Sequence, residues 1–544
     1  MSYTAVAGAG YIRLEVGAHG TYTAPTPEAL LAWVKWNSFS GSLVYGPGVH
    51  LFTGSETLPN ANLSVVIEPG AALLPAHTGA IGLFELTGDN VAITGGGQIL
   101  IPTWVNNQVV MKITGATRPR VRDLLFKWSA TGGSSANPMT GLLLHDCHSE
   151  SVTGNLAFPV AGSVPFRSNL CDAGVWSGNT VRPEAKRTPT SGGTYVDVYV
   201  PFWMQGMQLS TFEANECYGL GGASSKLEYA LLMQWDADLA GEQGHNRITG
   251  NRFEACYAKR WIALYGGNFS RIDHNLLGQN EAAAGTMDYA TFTAGSQVIN
   301  AAIHVDSSNH LGSGQQAVHT QIHDNDIHNW GGDSPVIAAG RCTRLYIRNN
   351  TFGLINAITG AIAIDGDTCS GSIYVDGNTF DGGGTQDRAV YVIQLAATSP
   401  AALTEMPLLI KDNTADGFVQ AFEPVGGIHG PYDPFGMGFE DALTIAVDTI
   451  SFQSIATSAG DFPRLLDSGS GFGSIVVGDY VQLLGATNKS NRGVWKVRTQ
   501  AAGQLDMELE QLSAVTLNDF TTEAAGADVI LKVFKRGFNS NVTN

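Results

Sequence analysis

The chain has 544 residues, 44% of them hydrophobic and 14% charged, with 66 glycines and 21 prolines, a balance that favours turn-rich β-structure over helical bundles. A formal net charge of −18 argues against nucleic acid as a partner, since duplex binding leans on phosphate neutralisation. No apolar run reaches the roughly 18 residues of a membrane span, so no membrane partner is expected.

The opening "MSYTAVAGAGYIRLEV" lacks the basic-then-apolar order of a secretory signal. "PTPEALLAWVKW", Pro25 to Trp36, predicts a helix with Thr26 as N-cap, Pro27 at the first position, Glu28 in the first turn, and Leu30, Leu31 and Val34 on one face. It is expected to cover strand edges that would otherwise be open. From about residue 96 a six-residue template recurs: apolar, any, any, Asn, any, apolar. It reads "VTGNLA" (Asn155), "WSGNTV" (Asn179), "FEANEC" (Asn215), "ITGNRF" (Asn251), "IDHNLL" (Asn275), "IHDNDI" (Asn325), "IRNNTF" (Asn350), "VDGNTF" (Asn378) and "IKDNTA" (Asn413). "ITGGGQI" around Gly96 and "VRDLLF" around Leu124 fit if the asparagine is relaxed.

Successive copies lie 24 to 50 residues apart, and most are separated by a second apolar run such as "WIALYGG", "AAIHVDS" or "AIAIDG". Each repeat holds at least two strands too short to bury a face alone, so stacked repeats must share an interior. The expected fold is all-β, a right-handed single-stranded parallel β-helix. Asparagine suits its corners because it tolerates left-handed backbone angles and its amide can bond the same group one coil above and below. The longest step, from Asn275 to Asn325, reads as one coil carrying an excursion over 278–300, and large insertions on a rigid solenoid tend to sit where function does.

The template ends near residue 425, and a Gly/Pro-rich stretch follows. The expected organisation is 1–40 N-terminal segment and capping helix, 41–425 β-helix, 426–440 linker, and 441–544 a small β-sandwich or barrel, because "DSGSGFGSIVVGDYVQLLGATNKSNRGVWKV" alternates strands with Gly and Asn turns.

The segment "GSLVYGPGVHLFTGSETLPNANLSVVIEPGAALL" resembles the entry coils of phage tailspikes and pectate-lyase-like proteins. The order "DSGSGF" then "VGDYVQLLGATNKSNRGVWKV" resembles a β-module of bacteriophage tail and other virion proteins. The resemblance implies a bacteriophage virion spike, typically a homotrimer, made in the host cytoplasm and released by lysis. It further implies binding of bacterial surface polysaccharide, capsule or lipopolysaccharide, and attachment to other virion proteins, here through the C-terminal module. Many such spikes cleave their glycan, as hydrolases or lyases. The rival expectations are a non-catalytic structural virion protein and a bacterial polysaccharide lyase or adhesin.

The family has no motif for its acids, so candidates come from outward positions of the second runs. Aligning Ile262 and Leu264 with Ile303 and Val305 and with Ile362 and Ile364 puts Tyr265, Asp306 and Asp365 in one outward column, with His304 beside it and Trp235 and Asp236 one coil earlier. Asp306, Asp365 and Asp236 are the candidate catalytic acids, one carboxyl protonating a leaving group while another activates water. Trp235, Tyr265 and His304 are the candidate sugar-binding residues. Asp306 and Asp365, two coils apart, are expected about 10 Å apart, near the roughly 6.5–9.5 Å of inverting glycosidases. Glu216 falls in register with Arg252, which predicts an ion pair between coils. The six cysteines, Cys147, Cys171, Cys217, Cys256, Cys342 and Cys369, contain no CxxC pair and read as buried thiols. "HDCH", His145 to His148, has no standard zinc spacing, and the acidic turns "DAD", "DND" and "DGD" continue into no calcium loop. No metal or other cofactor is expected.

Overall fold

The computed structural model describes residues 3–8, 11–16, 23–24, 26–129, 133, 136–182, 199–220, 227–236, 244–254, 258–278, 301–306, 317–328, 330–332, 335–340, 342–353, 356–357, 361–365, 370–393, 408–411, 413–424, 432–433, 443–446, 450–455, 462–477, 480–484, 493–508, 522–524 and 530–534. The chain divides into two compact units, Met1–Ala283 with Ala302–Gln315, and Ala284–Ala301 with Gln316–Asn544. Both contain stacked parallel coils, so the chain is an all-β parallel β-helix. Among the described residues no helix is long and apolar enough to cross a membrane.

In the first unit the helix Pro27–Trp36 forms as its sequence dictates: the Thr26 side chain accepts from the Ala29 N–H at 3.2 Å, and Leu30, Leu31 and Val34 are buried. Asn60 Nδ2 donates to the Val34 carbonyl at 3.0 Å, and the Glu28 carboxylate accepts from Gly54 N at 2.9 Å. The coils proper carry three strands each. A first series runs Ala92–Thr94, Arg120–Arg122, Ser151–Thr153, Val175–Ser177, Thr211–Glu213, Arg247–Thr249 and Arg271–Asp273, every neighbour parallel and in register. Their central residues, Ile93, Val121, Val152, Trp176, Phe212, Ile248 and Ile272, stack one above another, all fully buried. Such burial is worth about 1.5–3 kcal/mol per side chain. A second series runs Gln98–Ile101, Leu125–Trp128, Leu156–Phe158, Thr180–Val181, Glu216–Tyr218, Arg252–Glu254 and Leu276–Gly278. The repeated template therefore spans two short strands, with the asparagine at the bend between them.

That asparagine points inward. Asn155, Asn179, Asn215, Asn251 and Asn275 are 0–1% exposed, and each Nδ2 reaches the Oδ1 of the next at 2.9, 2.9, 3.2 and 2.9 Å. The same Oδ1 also accepts the backbone N–H of the preceding asparagine, and Nδ2 donates to a carbonyl such as Trp176 O at 2.8 Å. Every copy buries an amide whose partners are other copies, which removes most of the cost of burying it. The left-handed angle falls elsewhere than the sequence suggests. It belongs to the residue before the asparagine, Gly154 (φ 67°), Gly178 (64°), Ala214 (51°), Gly250 (62°) and His274 (56°), because the asparagine itself must stay in a conformation that aims its amide at the neighbouring coil.

A second polar column lies at another corner, where Gly174 N donates to Ser210 Oγ, Ser210 N to Asn246 Oδ1 and Asn246 N to Ser270 Oγ at 3.1–3.3 Å. Glu150 occupies the same column, 1% exposed. Its Oε1 takes the Trp176 indole N–H at 3.3 Å, while Oε2 has no partner among the described residues. Gly174 on the next coil leaves it room, since a Cβ there would stand 2.0 Å from Oε1. Burial pushes this carboxyl up from its ordinary 4.5 to about 7, with its own backbone N–H, the Trp176 bond and His148 opposing the rise and Asp172 adding to it. The expected ion pair between Glu216 and Arg252 is not formed, although the two are register partners. Arg252 Nε instead binds Glu254 at 2.6 Å on its own strand, where alternation puts a residue two positions along on the same face. Cys147, Cys171, Cys217 and Cys342 are buried free thiols; Cys256 and Cys369 lie outside the described residues. His148 of "HDCH" pairs with Asp172 at 2.6 Å.

The second unit repeats the scheme. Ala317–His323, Cys342–Arg348, Ser370–Asp376 and Leu408–Lys411 pair in parallel, as do Ile337–Ala339 and Ile362–Asp365. Asn325, Asn350, Asn378 and Asn413 form a ladder of their own with Nδ2 to Oδ1 distances of 2.9, 3.0 and 2.9 Å. Toward the C-terminus a seven-stranded antiparallel sheet runs Leu443–Ala446, Ile530–Phe534, Tyr480–Leu484, Gly493–Ala501, Gln504–Glu508, Phe462–Asp467, Ile450–Ile455. Its core includes Phe452, Leu465, Phe472, Val481, Trp495 and Met507. The 426–440 linker, apart from Tyr432–Asp433, lies outside the described residues.

Three outcomes are expected. Asn215→Ala strips four side-chain bonds, three of them to neighbouring asparagines, and lowers stability by about 2–5 kcal/mol in denaturant titration, whereas Ala214→Gly relieves a left-handed alanine and raises it by about 1 kcal/mol. Glu150 holds its proton more tightly folded than unfolded, so its carboxyl opposes folding only as pH rises. Stability is full below about pH 4.5, falls by about 3 kcal/mol by pH 7 and above, and loses that slope in Glu150→Gln.

Candidate functional site

The third strand of each coil in the first unit builds the face on which the sequence places its candidates. Val164–Asn169, Phe202–Gln205, Leu227–Gln234 and Ala258–Tyr265 pair in parallel register. Gly266 N donates to Asp306 O at 2.9 Å, the same bond that Trp235 N makes to Tyr265 O, which places Asp306 above Tyr265. Phe166, Phe202, Leu231 and Ile262 point into the coil, fully buried. Alternation therefore sends two columns outward: Arg167, Trp203, Leu232, Ala263 and His304 in one, and Asn169, Gln205, Gln234, Tyr265 and Asp306 in the other.

The register corrects one expectation. Gln234, not Trp235 or Asp236, is the partner of Tyr265. The run "YALLMQW" is apolar at both alternate sets of positions, so its inward face cannot be told by period, and the sequence alignment places Trp235 and Asp236 too early. Trp235 lies just beyond the strand, 7% exposed, and Asp236 is 6% exposed with Oδ2 accepting from Gln205 Nε2 at 2.8 Å. Tyr265 and His304 are likewise buried, at 5% and 2%. They bond each other rather than solvent. The Tyr265 hydroxyl lies 3.1 Å from His304 Nδ1, and Arg260 Nε donates to that same nitrogen at 3.2 Å. A guanidinium can only donate, so Nδ1 accepts and the ring carries a proton on Nε2, 3.8 Å from Asp306 Oδ2. Burial drives the Tyr265 hydroxyl well above the ordinary tyrosine range, with Arg260 opposing. Among the described acids of this face Asp306 keeps a partly exposed side chain, at 21%.

Asp365 ends the strand Ile362–Asp365 in the second unit; its side chain lies outside the described residues. The pair Asp236 and Asp306 can be weighed by register. Gln234 and Asp306 stand two coils apart, and the Asp236 carboxylate reaches back to Gln205, one coil further. At about 4.8 Å per coil the two carboxyls lie roughly 10–14 Å apart, beyond the roughly 6.5–9.5 Å that admits a single water.

Other residues complete the face. The Arg167 guanidinium lies 4.2 Å from the Trp203 ring centroid, and that of Arg260 lies 5.1 Å from the centroid of Tyr229. Tyr199, Trp203 and Tyr229, all partly buried, pack against a cluster of Val200, Leu232, Ala263 and Tyr265, with Tyr199 and Trp203 edge to face at 6.0 Å. Sequence reading missed Arg167, Trp203 and Gln205. The signal was present in "VPFRSN" and "PFWMQG", whose alternation matches the later coils, but both lie upstream of where the column was begun. The face can hold a polar, ring-shaped ligand: aromatic edges and faces beside two carboxamides, a guanidinium and one accessible carboxylate.

No protein-family model matches the sequence, and no curated protein matches it. Among solved structures the chain is similar to the tailspike protein of Escherichia coli bacteriophage HK620 in complex with a pentasaccharide, at 10% identity and a TM-score of 0.45 over 94% of this chain and 90% of that one. A variant of that tailspike in complex with a hexasaccharide gives 12%, 0.45, 94% and 89%. The A-module of Azotobacter vinelandii mannuronan C-5 epimerase AlgE6 gives 10% and 0.43 over 73% of this chain and 95% of that one. The architecture rests on the parallel pairings themselves, not on likenesses of this size.

Arg260→Met removes a charged donor from a buried imidazole nitrogen and is expected to lower stability by about 2 kcal/mol, read as a shift of the urea midpoint at unchanged m.

Proposed function

We propose that this chain is a bacteriophage virion spike that binds bacterial surface polysaccharide, capsule or lipopolysaccharide, on the outer face of its coils, and that it works as a homotrimer joined to other virion proteins. The observation that carries the reading is the cluster of Trp203, Tyr199 and Tyr229 on the face whose stacked parallel strands also present Gln205, Gln234 and Asp306. Sugar rings present apolar faces and hydroxyl edges at once, and that face offers stacking surfaces and hydrogen-bonding groups in a fixed frame. The parallel coils with an antiparallel C-terminal sheet, and the resemblance of the C-terminal sequence to a module of bacteriophage tail and other virion proteins, support the assignment to a phage particle.

Depolymerisation belongs to the proposal through Asp306, the accessible acid of the face. Its roughly 10–14 Å distance from Asp236 excludes that pair from activating one water between them, so any cleavage draws its second group from the bound glycan's other side or uses Asp306 as a base. Asp365 remains a proposed acid of the second unit.

Purified protein incubated with capsule and lipopolysaccharide extracts is expected to bind at least one polysaccharide. Trp203→Ala should weaken that binding by about tenfold or more. Release of reducing ends or unsaturated sugars would mark an enzyme, and Asp306→Asn should then abolish release with the melting temperature unchanged. A host-glycan panel neither bound nor cut would leave a purely structural virion role, and undiminished binding by Trp203→Ala would remove this face from the reading.

A further inference from the structure

Among the described residues Arg167, on the outer face, forms no ion pair. Arg167 is partly buried, laid against the Trp203 indole on the next coil, with one terminal nitrogen 3.5 Å from Gln205 Oε1. Its Nε is buried and has no hydrogen-bond partner among the described residues. Among the described residues no carboxylate pairs with it. The acid in its network, Asp236, is held off by Gln205, whose amide nitrogen takes Asp236 Oδ2 at 2.8 Å. Burial lowers the affinity of this guanidinium for its proton, and the influence of Tyr199 and Asp236 offsets that only in part.

An incompletely solvated charge without an ion partner is a cost to the fold, and a glutamine stands where a carboxylate would have cancelled it. The guanidinium is a planar fork whose shape matches a carboxylate, and it is already fixed by stacking, so little rotamer entropy is lost when it binds. Around it the rings of Trp203, Tyr199 and Tyr229 suit the apolar face of a pyranose.

We propose that Arg167 anchors the carboxylate of an acidic sugar, so that the polysaccharide this face selects is one bearing uronic or other carboxylated residues. The proposal rests on the reading of the face as glycan-binding.

The test takes whichever capsule or lipopolysaccharide preparation the protein binds and compares it, by biolayer interferometry in about 0.15 M salt, before and after carbodiimide and borohydride reduction of its carboxyl groups. Reduction and Arg167→Gln are each expected to weaken binding about ten- to a hundredfold, the worth of a charged hydrogen-bonded contact. Arg167→Lys, which keeps the charge and loses the fork, should fall between. Arg167→Gln should melt at the same temperature as the parent or higher. A bound polysaccharide that is neutral, or whose affinity survives both changes, overturns the proposal and leaves the glycan-binding face standing. A lower melting temperature in Arg167→Gln, showing that the arginine serves the fold, overturns it too. Failure to bind any polysaccharide overturns both readings.

Discussion

A buried asparagine amide that bonds its own copy on the next coil is the interaction on which this molecule depends. Its two functions cannot be separated: Nδ2 reaches upward to the neighbouring Oδ1 while Oδ1 receives the backbone N–H of the coil before. Hydrocarbon surrounds it, so a coil displaced by a single residue would leave several polar atoms without partners, each costing about 1–3 kcal/mol. The ladder is thus a register lock. It holds in each unit separately, from Asn155 to Asn275 and from Asn325 to Asn413, and in both it fixes where the short strands on either side begin.

Once the register is locked, the outer surface follows. Strand alternation carries Phe166, Phe202, Leu231 and Ile262 inward and presents Arg167, Trp203 and their column neighbours outward. Because the strands repeat at a fixed spacing, those side chains form rows whose order is set by the coil order. The interior of the coil tolerates polar groups where a neighbour answers them, as at Ser210 and Asn246. It also holds one that is only half answered, Glu150. On the outside the balance differs: Arg260 is answered by a buried imidazole, while Arg167 rests on an indole and, among the described residues, pairs with no carboxylate. Side chains that serve only the fold tend to meet their partners, so the exception on an accessible aromatic face is where a ligand is to be sought.

The asparagine positions, the helix at Pro27–Trp36 and the inward apolar residues were legible because each follows a local rule. A repeated residue at a repeated bend implies stacking, a capping threonine before Pro-Glu starts a helix, and β-branched residues at alternate places face a core. The left-handed angle was assigned to the wrong residue because asparagine both tolerates that angle and makes ladders, and only the backbone shows that it does the second while Gly154, Ala214 or His274 does the first. The Glu216 to Arg252 pair failed although the register was right, because register brings two side chains near and does not choose between Glu216 and Glu254 for the same guanidinium.

What the amino-acid order settled by itself is the architecture: a period of short strands closed by asparagine corners has no other way to bury its apolar faces than to stack. What only the folded structure decided is which outward residues are accessible. Tyr265, His304 and Asp236 stand where sequence arithmetic puts an outer surface or close to it, yet all three are buried, while Arg167 and Trp203, several coils upstream in the chain, remain partly open. Exposure depends on what packs across a column from distant parts of the chain, and alternation along a strand carries no information about that.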